Sequence, residues 1–282
     1  MTATNPSRVA LVTGAASGVG LAATQLLLHR GSSVIGVDLA GAPPTLAADP
    51  NLAGAPPTLA ADPNLAWLSG DVSEPGTWTA AVSLAEQRFG TSPGAVVLCA
   101  AKLAVGTVLS TPVDTFRAVF EVNVYGAVLG LQACLPGMIA RGAGAVAVVV
   151  SVNGLLAEQD LAAYNASKGA LMQLVRSAAV DHARSGVRIN AVCPTTIDTP
   201  FIQGQLDSVP DPAAFRREME QRHPLGRILR PEEVASVAVF LTTPESSGMT
   251  GASVVVDCGL TASPDFVTPD FVTPGFVTAA SG

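Results

Sequence analysis

The sequence predicts an α/β fold, a single Rossmann-like, doubly wound parallel β-sheet with helices on both faces. Three observations predict it: short β-branched runs alternate with longer Ala- and Leu-rich stretches, a glycine-rich turn follows the first run, and an aspartate closes the second. Such alternation marks βαβ units, because a parallel neighbour needs a crossover long enough to hold a helix. Strands are expected at 8–13, 33–38, 95–99, 145–151, 187–192 and 253–256, with a further one ahead of Asp71. Helical length and composition fall on 18–30, 74–89, 112–140, 161–185 and 231–241. Asp114 and Thr115 are expected to precede a helical run. Pro231 with Glu232 and Glu233 reads as a helix first turn, its acids placed where the dipole favours them.

The chain has 282 residues and a 49% hydrophobic content, enough to fill one large core. Only 13% of residues are charged and the net charge is −7, so no basic stripe is available to displace counterions from a nucleic-acid backbone. Cys99, Cys134, Cys193 and Cys258 lie far apart with no Cys-x-x-Cys pair, which predicts buried free thiols in a reducing compartment. His29, His182 and His223 are scattered too; the first two fall near helix ends, and no metal site is expected. With no apolar run approaching 18 residues and no signal-peptide pattern, a cytoplasmic location is expected.

Two repeats interrupt the rhythm. Residues 39–51, LAGAPPTLAADPN, recur unchanged at 52–64. A duplicated surface loop is expected there, since lengthening a loop adds only a logarithmic closure entropy; a flap over the adenine end of a cofactor is the other reading. The catalytic and cofactor-binding domain is expected over 1–262. Residues 263–282 form a tail in which PDFVT, PDFVT and PGFVT follow one another, a proline every five residues opposing both helix and strand. The tail is expected to be mobile or docked on a neighbouring subunit.

After the first strand, Thr13-Gly14-Ala15-Ala16-Ser17-Gly18-Val19-Gly20 leads into a helix. Glycines let the backbone approach a pyrophosphate, whose charge then meets the free N–H groups at the helix N-terminus. Asp38 closes the second strand 18 residues after Gly20, where a carboxylate accepts from ribose hydroxyls and repels a 2′-phosphate. NAD is therefore expected over NADP. Asp71-Val72, after the third strand, offers a second carboxylate to the adenine edge.

Tyr164-Asn165-Ala166-Ser167-Lys168 places Tyr and Lys at i and i+4, on one helical face. A cation about 5 Å from a phenolate, at an effective dielectric of about 20, contributes roughly 3 kcal/mol, about two pKa units. That field is expected to bring Tyr164 toward the working range of an acid/base. Ser151, thirteen residues earlier, ends the apolar strand 146–150, at the sheet edge where such folds bind ligands.

The glycine turn, Asn123, Ser151, Tyr164 and Lys168, in this order, resemble the short-chain dehydrogenase/reductase family from about residue 8 to 261. The resemblance implies Tyr164 as general acid/base and Ser151 as the group orienting the substrate oxygen. It implies Lys168 also at the nicotinamide ribose, and Asn123 as the holder of a water that relays protons through the lysine. Cys193-Pro194-Thr195-Thr196-Ile197-Asp198-Thr199 is similar to the family's Pro-Gly segment, which implies the Ile197 backbone and Thr199 at the carboxamide. Gly14, Ser17, Gly18, Val19, Gly20, Asp38, Asp71, Val72, Ala100, Tyr164, Lys168 and Pro194 complete the expected cofactor contacts. The chain departs from the family in having Lys102 where a glycine is usual after Ala101, Thr195 for the glycine after Pro194, and Cys258 before Gly259 where two glycines are common. The resemblance also implies a homotetramer or dimer built on the helices that carry Asn123 and Tyr164.

The expected function is thus hydride transfer between NAD and a secondary alcohol or ketone of a cyclic or apolar small molecule. Two alternatives are an NADPH-dependent 3-oxoacyl-type reductase and a non-catalytic dinucleotide sensor. Leu155, Leu156, Phe201, Ile202 and Leu206 are expected around an apolar substrate pocket, with Glu158 and Gln159 as polar contacts.

Overall fold

The computed structural model describes residues 9–41, 62–200, 202–203 and 210–262. Most of the duplicated loop, the Pro-Phe tail, Arg8, Phe201 and Leu206 lie outside the described residues. The strands are β1 Val9–Thr13, β2 Ser33–Asp38, β3 Leu65–Ser69, β4 Ala95–Leu98, β5 Gly144–Val149, β6 Val187–Pro194 and β7 Ser253–Val256. The helices are α1 Gly18–His29, α2 Pro75–Phe89, α3 Val113–Phe120, α4 Gly126–Arg141, α5 Ala162–His182, α6 Pro212–Gln221 and α7 Pro231–Leu241.

All strand pairs are parallel, in the order β3-β2-β1-β4-β5-β6-β7. Both faces are covered, which is why β1 is buried along its whole length and reads as an unbroken apolar run. On one face Trp78 and Ala81 of α2, Leu131 and Met138 of α4, and Leu171 and Val175 of α5 pack against the sheet. On the other, Ala23 and Leu27 of α1 meet Val234, Ala238 and Leu241 of α7. The chain runs outward from β1 to β3 and re-enters the sheet at β4, on the other side of β1. That reversal opens a crevice beyond the carboxyl ends of β1 and β4, the place where open α/β sheets bind ligands. Thr13 Oγ1 braces its rim, accepting from the backbone N–H groups of Cys99 (3.0 Å) and Ala100 (3.2 Å).

The elements depart from the sequence reading in a few places. The helix expected over 112–140 contains a π-helical segment, Glu121–Tyr125, between α3 and α4. Its widened turn carries Asn123 and leaves no mark in apolar spacing. Asp114 and Thr115 lie inside the first turn of α3, behind a Pro112 N-cap, and do not precede the helix. β5 stops at Val149, so Ser151 stands beyond the strand as N-cap of a 3₁₀ turn, Val152–Gly154. Helix α6 was not expected, although Asp211-Pro212 is a cap signal and the Asp211 side chain accepts from Ala214 N at 2.9 Å.

His29 and His182 stand in the last turns of α1 and α5, as expected. Contrary to the expectation of no span-like stretch, the 29 residues Val113–Arg141 are long and apolar enough, by length and composition alone, to cross a membrane. Here Leu131, Cys134, Leu135 and Met138 of that stretch are core residues against the sheet.

Candidate active site

The cradle begins where α1 opens at the end of β1. Ser17 is the N-cap in an extended conformation, yet its side chain makes no capping bond, so its hydroxyl and the first-turn N–H groups remain for a ligand. Three glycines keep the crevice clear, each for its own reason. Gly14 has φ +66°, and a Cβ there would sit 3.1 Å from the Ala100 amide nitrogen. Gly18 has φ +51°, with Thr199 Cγ2 3.1 Å from the same imagined atom, while a Cβ on Gly20 would overlap the Gly14 carbonyl oxygen. A crevice that any side chain would fill, lined by unpaired amides, fits the pyrophosphate of a nicotinamide dinucleotide.

Asp38 both braces the turn and faces the cavity: its Oδ2 accepts from Ala16 N at 2.9 Å and its Oδ1 from Ala40 N at 3.0 Å. The loop-capping and ribose-binding readings of this carboxylate are thus compatible, since each oxygen retains a lone pair. Asp71 Oδ1 accepts from Ser73 N (2.8 Å) and Ser73 Oγ (2.7 Å), and those bonds hold its carboxyl below the ordinary value. The nearby Lys102 charge adds to the effect. Val72 is buried and its carbonyl accepts from Trp78 Nε1 at 2.8 Å.

Every residue expected to hold the cofactor lines one cavity of about 420 Å³, and Ser151 lines it with them. Lys168 is buried on α5, its Nζ 5.4 Å from the Tyr164 ring centroid and donating to the Val149 carbonyl at 3.1 Å. Burial pushes the Tyr164 phenol up to about 12, its hydrogen bond with Ser151 pulls it back, and the Glu158 carboxylate raises it further. This corrects the expectation of an acidified tyrosine. The reason is the burial of the phenol itself, which outweighs the bond from Ser151; Lys168 is buried as well and is brought down to about 8, with Cys99 and Cys193 opposing the shift.

The lysine shift has a consequence for stability. Lys168 falls from its ordinary 10.5 to about 8, so between those pH values the unfolded chain binds more protons than the folded one, and stability rises with pH. Below about pH 8 the penalty of burying the charge is present in full. Lys168→Met is therefore expected to be most favourable to stability, relative to the parent, near pH 7. That advantage should shrink by about 3 kcal/mol by pH 10, as read from urea midpoints without cofactor.

Asn123 is buried but lies beneath the cavity and does not line it. Its Oδ1 accepts from Lys102 N (2.7 Å), while its Nδ2 donates to Lys102 O (2.9 Å) and Ser167 Oγ (2.9 Å). The side chain thus clamps the loop after β4 onto α5. Lys102, pinned through its backbone, is exposed at the cavity rim. Thr195 Oγ1 lies 2.9 Å from His223 Nε2, and His223 Nδ1 lies 2.7 Å from the Met219 carbonyl of α6.

The expected substrate contacts fare differently. Leu155, Leu156, Glu158 and Gln159 are absent from the cavity lining, Glu158 pairs with Arg222 at 3.4 Å, and Ile202 packs against Met219 and Ile228. Sequence reasoning gave no role to Thr13, whose partners Cys99 and Ala100 lie at another strand's end, nor to Asn153 and Asn165, which bond each other and the nearby Ser151 and Glu158, and it considered His223 only as a metal ligand.

This is the site of an oxidoreductase that uses a nicotinamide dinucleotide to interconvert a secondary alcohol and a ketone. A family model described as enoyl-(acyl carrier protein) reductase matches residues 14–261. The 2-(R)-hydroxypropyl-CoM dehydrogenase of Xanthobacter autotrophicus is 37% identical over 91% of this chain and 99% of its own length. The cis-4-hydroxycyclohexanecarboxylate dehydrogenase of Sinomonas cyclohexanicum is 35% identical over 90% of this chain and 97% of its own. Among solved structures, levodione reductase superposes with a TM-score of 0.82 at 28% identity, covering 92% of this chain and all (100%) of that one. The chain belongs to the short-chain dehydrogenase/reductase family.

Proposed function

We propose that this chain is an NAD-dependent dehydrogenase of a cyclic or otherwise apolar secondary alcohol. The observation that carries the reading is the convergence of Ser151, Tyr164 and Lys168 on the cavity that also holds the glycine cradle and Asp38. A bound nicotinamide dinucleotide supplies the hydride acceptor in oxidation and the donor in reduction. In oxidation, Tyr164 Oη takes the hydroxyl proton while the carbinol C–H pair departs as hydride and the C=O bond forms; in reduction Tyr164 returns the proton. Ser151 Oγ holds the reacting oxygen beside Tyr164, and Lys168 stabilises the developing phenolate. Asn123 serves as a positioning residue, fixing the β4 loop against α5.

The names of the two dehydrogenase relatives support a carbinol on a ring or a short chain. The net charge of −7 disfavours an acidic carrier protein as partner, against the alternative of carrier-bound ketone reduction. Free thiols at all four cysteines support a reducing compartment and hence the cytoplasm. Exposed Ile139 on α4 and Val180 on α5 support self-association through those helices.

The test is a 340 nm assay of secondary alcohols, cyclohexanol and cis-4-hydroxycyclohexanecarboxylate included, with NAD and with NADP. Turnover with NAD is expected; turnover with NADP alone would overturn the cofactor assignment. In parallel, NADH is expected to bind at least about tenfold more tightly than NADPH in fluorescence titration, and Asp38→Ser to erase that margin by removing like-charge repulsion. Equal margins in parent and variant would show that Asp38 does not select the cofactor.

A further inference from the structure

The chain has two lysines, Lys102 and Lys168, and both line the cavity, whereas none of its arginines does. Lys168 is committed to the chemistry: its Nζ donates to the Val149 carbonyl at 3.1 Å and stands 5.4 Å from the centre of the Tyr164 ring. Lys102 is exposed at the rim and takes part in none of the ion pairs among the described residues.

The place of Lys102 is fixed through its backbone. Asn123 accepts from the Lys102 N–H at 2.7 Å and donates to the Lys102 carbonyl at 2.9 Å. The same loop lies against the glycine cradle. Its Cys99 and Ala100 N–H groups donate to Thr13 Oγ1 at 3.0 and 3.2 Å, and a Cβ on Gly14 would sit 3.1 Å from the Ala100 nitrogen. Asp71 is close enough for the Lys102 charge to help hold its carboxyl below the ordinary value. Lys102 is thus rooted beside the cradle, on the side of the cavity that carries Asp71.

The cradle itself holds no cation. It offers N–H dipoles, but residues 9–28 contain no Arg, Lys or His. The anionic side chains that line the cavity are Asp38 and Asp71, and the whole chain carries a net charge of −7. A pyrophosphate brings further negative charge to this mouth, and Lys102 is the exposed cation there to offset the repulsion.

We propose that Lys102 is a cofactor-binding residue whose ammonium pairs with the pyrophosphate of a nicotinamide dinucleotide seated in the glycine cradle. The pair strengthens NAD and NADP binding alike, because both carry the same pyrophosphate, and the choice between them stays with Asp38. Being solvent-exposed, the pair is screened by salt. This inference rests on the dinucleotide-dependent dehydrogenase reading above and adds to its cofactor site a residue outside the glycine turn.

The test titrates NADH, NADPH and ADP-ribose against parent, Lys102→Gln and Lys102→Arg, in low salt and in about 0.5 M NaCl. Lys102→Gln is expected to weaken all three ligands about fivefold in low salt, a margin that shrinks below about twofold in high salt. Lys102→Arg keeps the charge and is expected to stay within about twofold of the parent. A loss confined to NADPH would place the ammonium at the 2′-phosphate and overturn the proposal. So would a loss of equal size at both salt concentrations, which marks a structural role. Unchanged dinucleotide affinities with a raised KM for cis-4-hydroxycyclohexanecarboxylate would overturn it too, placing the ammonium at a substrate carboxylate. ADP-ribose lacks the nicotinamide and undergoes no hydride transfer. A salt-sensitive, Lys102-dependent ADP-ribose affinity in a protein that oxidises no alcohol would therefore uphold the proposal and count against the alcohol reading instead.

Discussion

Tyr164→Phe is expected to lower kcat by roughly a thousandfold, the usual worth of a positioned acid/base, while NADH affinity changes by no more than about threefold. The variant removes one oxygen from a ring that otherwise keeps its place on α5 beside Lys168. No neighbour can substitute. Cys99 also lines the cavity, but burial pushes its thiol up to about 12, and Lys168 Nζ is held by the Val149 carbonyl. Stopped-flow turnover beside a fluorescence titration of NADH separates the two quantities. A loss shared equally between turnover and NADH binding would assign the phenol a binding role in place of an acid/base one.

Gly20→Ala is expected to weaken NADH binding about a hundredfold and to destabilise the fold by about 1–3 kcal/mol, the range for overpacking a close contact. Gly20 sits in the first turn of α1, and a Cβ there would overlap the carbonyl of Gly14 and crowd that of Thr13. Relief would have to come from backbone, since no flexible side chain is involved. The turn that carries Gly14 would open, and with it the Ala16 amide that Asp38 holds at 2.9 Å. One methyl group therefore reaches both the phosphate cradle and the ribose carboxylate. Fluorescence titration and a thermal melt measure the two effects; parent-like values in both would show that the turn has room the structure does not give it.

Much of this site was legible in the sequence because its chemistry is local in the chain. Tyr164 and Lys168 share one helix, the cradle is a contiguous turn, and Asp38 ends a strand whose apolar pattern is plain. Those signals placed all the expected cofactor residues in one cavity. What escaped depends on separation in the chain. The Asn123 clamp reaches Lys102 and Ser167 from a π segment, and amphipathic spacing does not distinguish that segment from ordinary helix. The acidity of Tyr164 was misjudged for a different reason: pair spacing gives the lysine field but not the burial that opposes it, and burial is the larger cause. The substrate residues expected at 155–159 are surface-loop positions whose direction is set by tertiary contacts such as Glu158 with Arg222. Helix periodicity says nothing about those.

The most direct test of the central claim, a hydride passing between a carbinol carbon and the nicotinamide under the control of Tyr164, is the fate of an isotope. Cyclohexanol carrying deuterium at its carbinol carbon is incubated with the enzyme and NAD, and the NADH formed is weighed by mass spectrometry. One deuterium per NADH, formed by the parent and absent with Tyr164→Phe, is the expected result; NADH without deuterium, or labelled NADH formed as fast by the phenylalanine variant, would contradict the account.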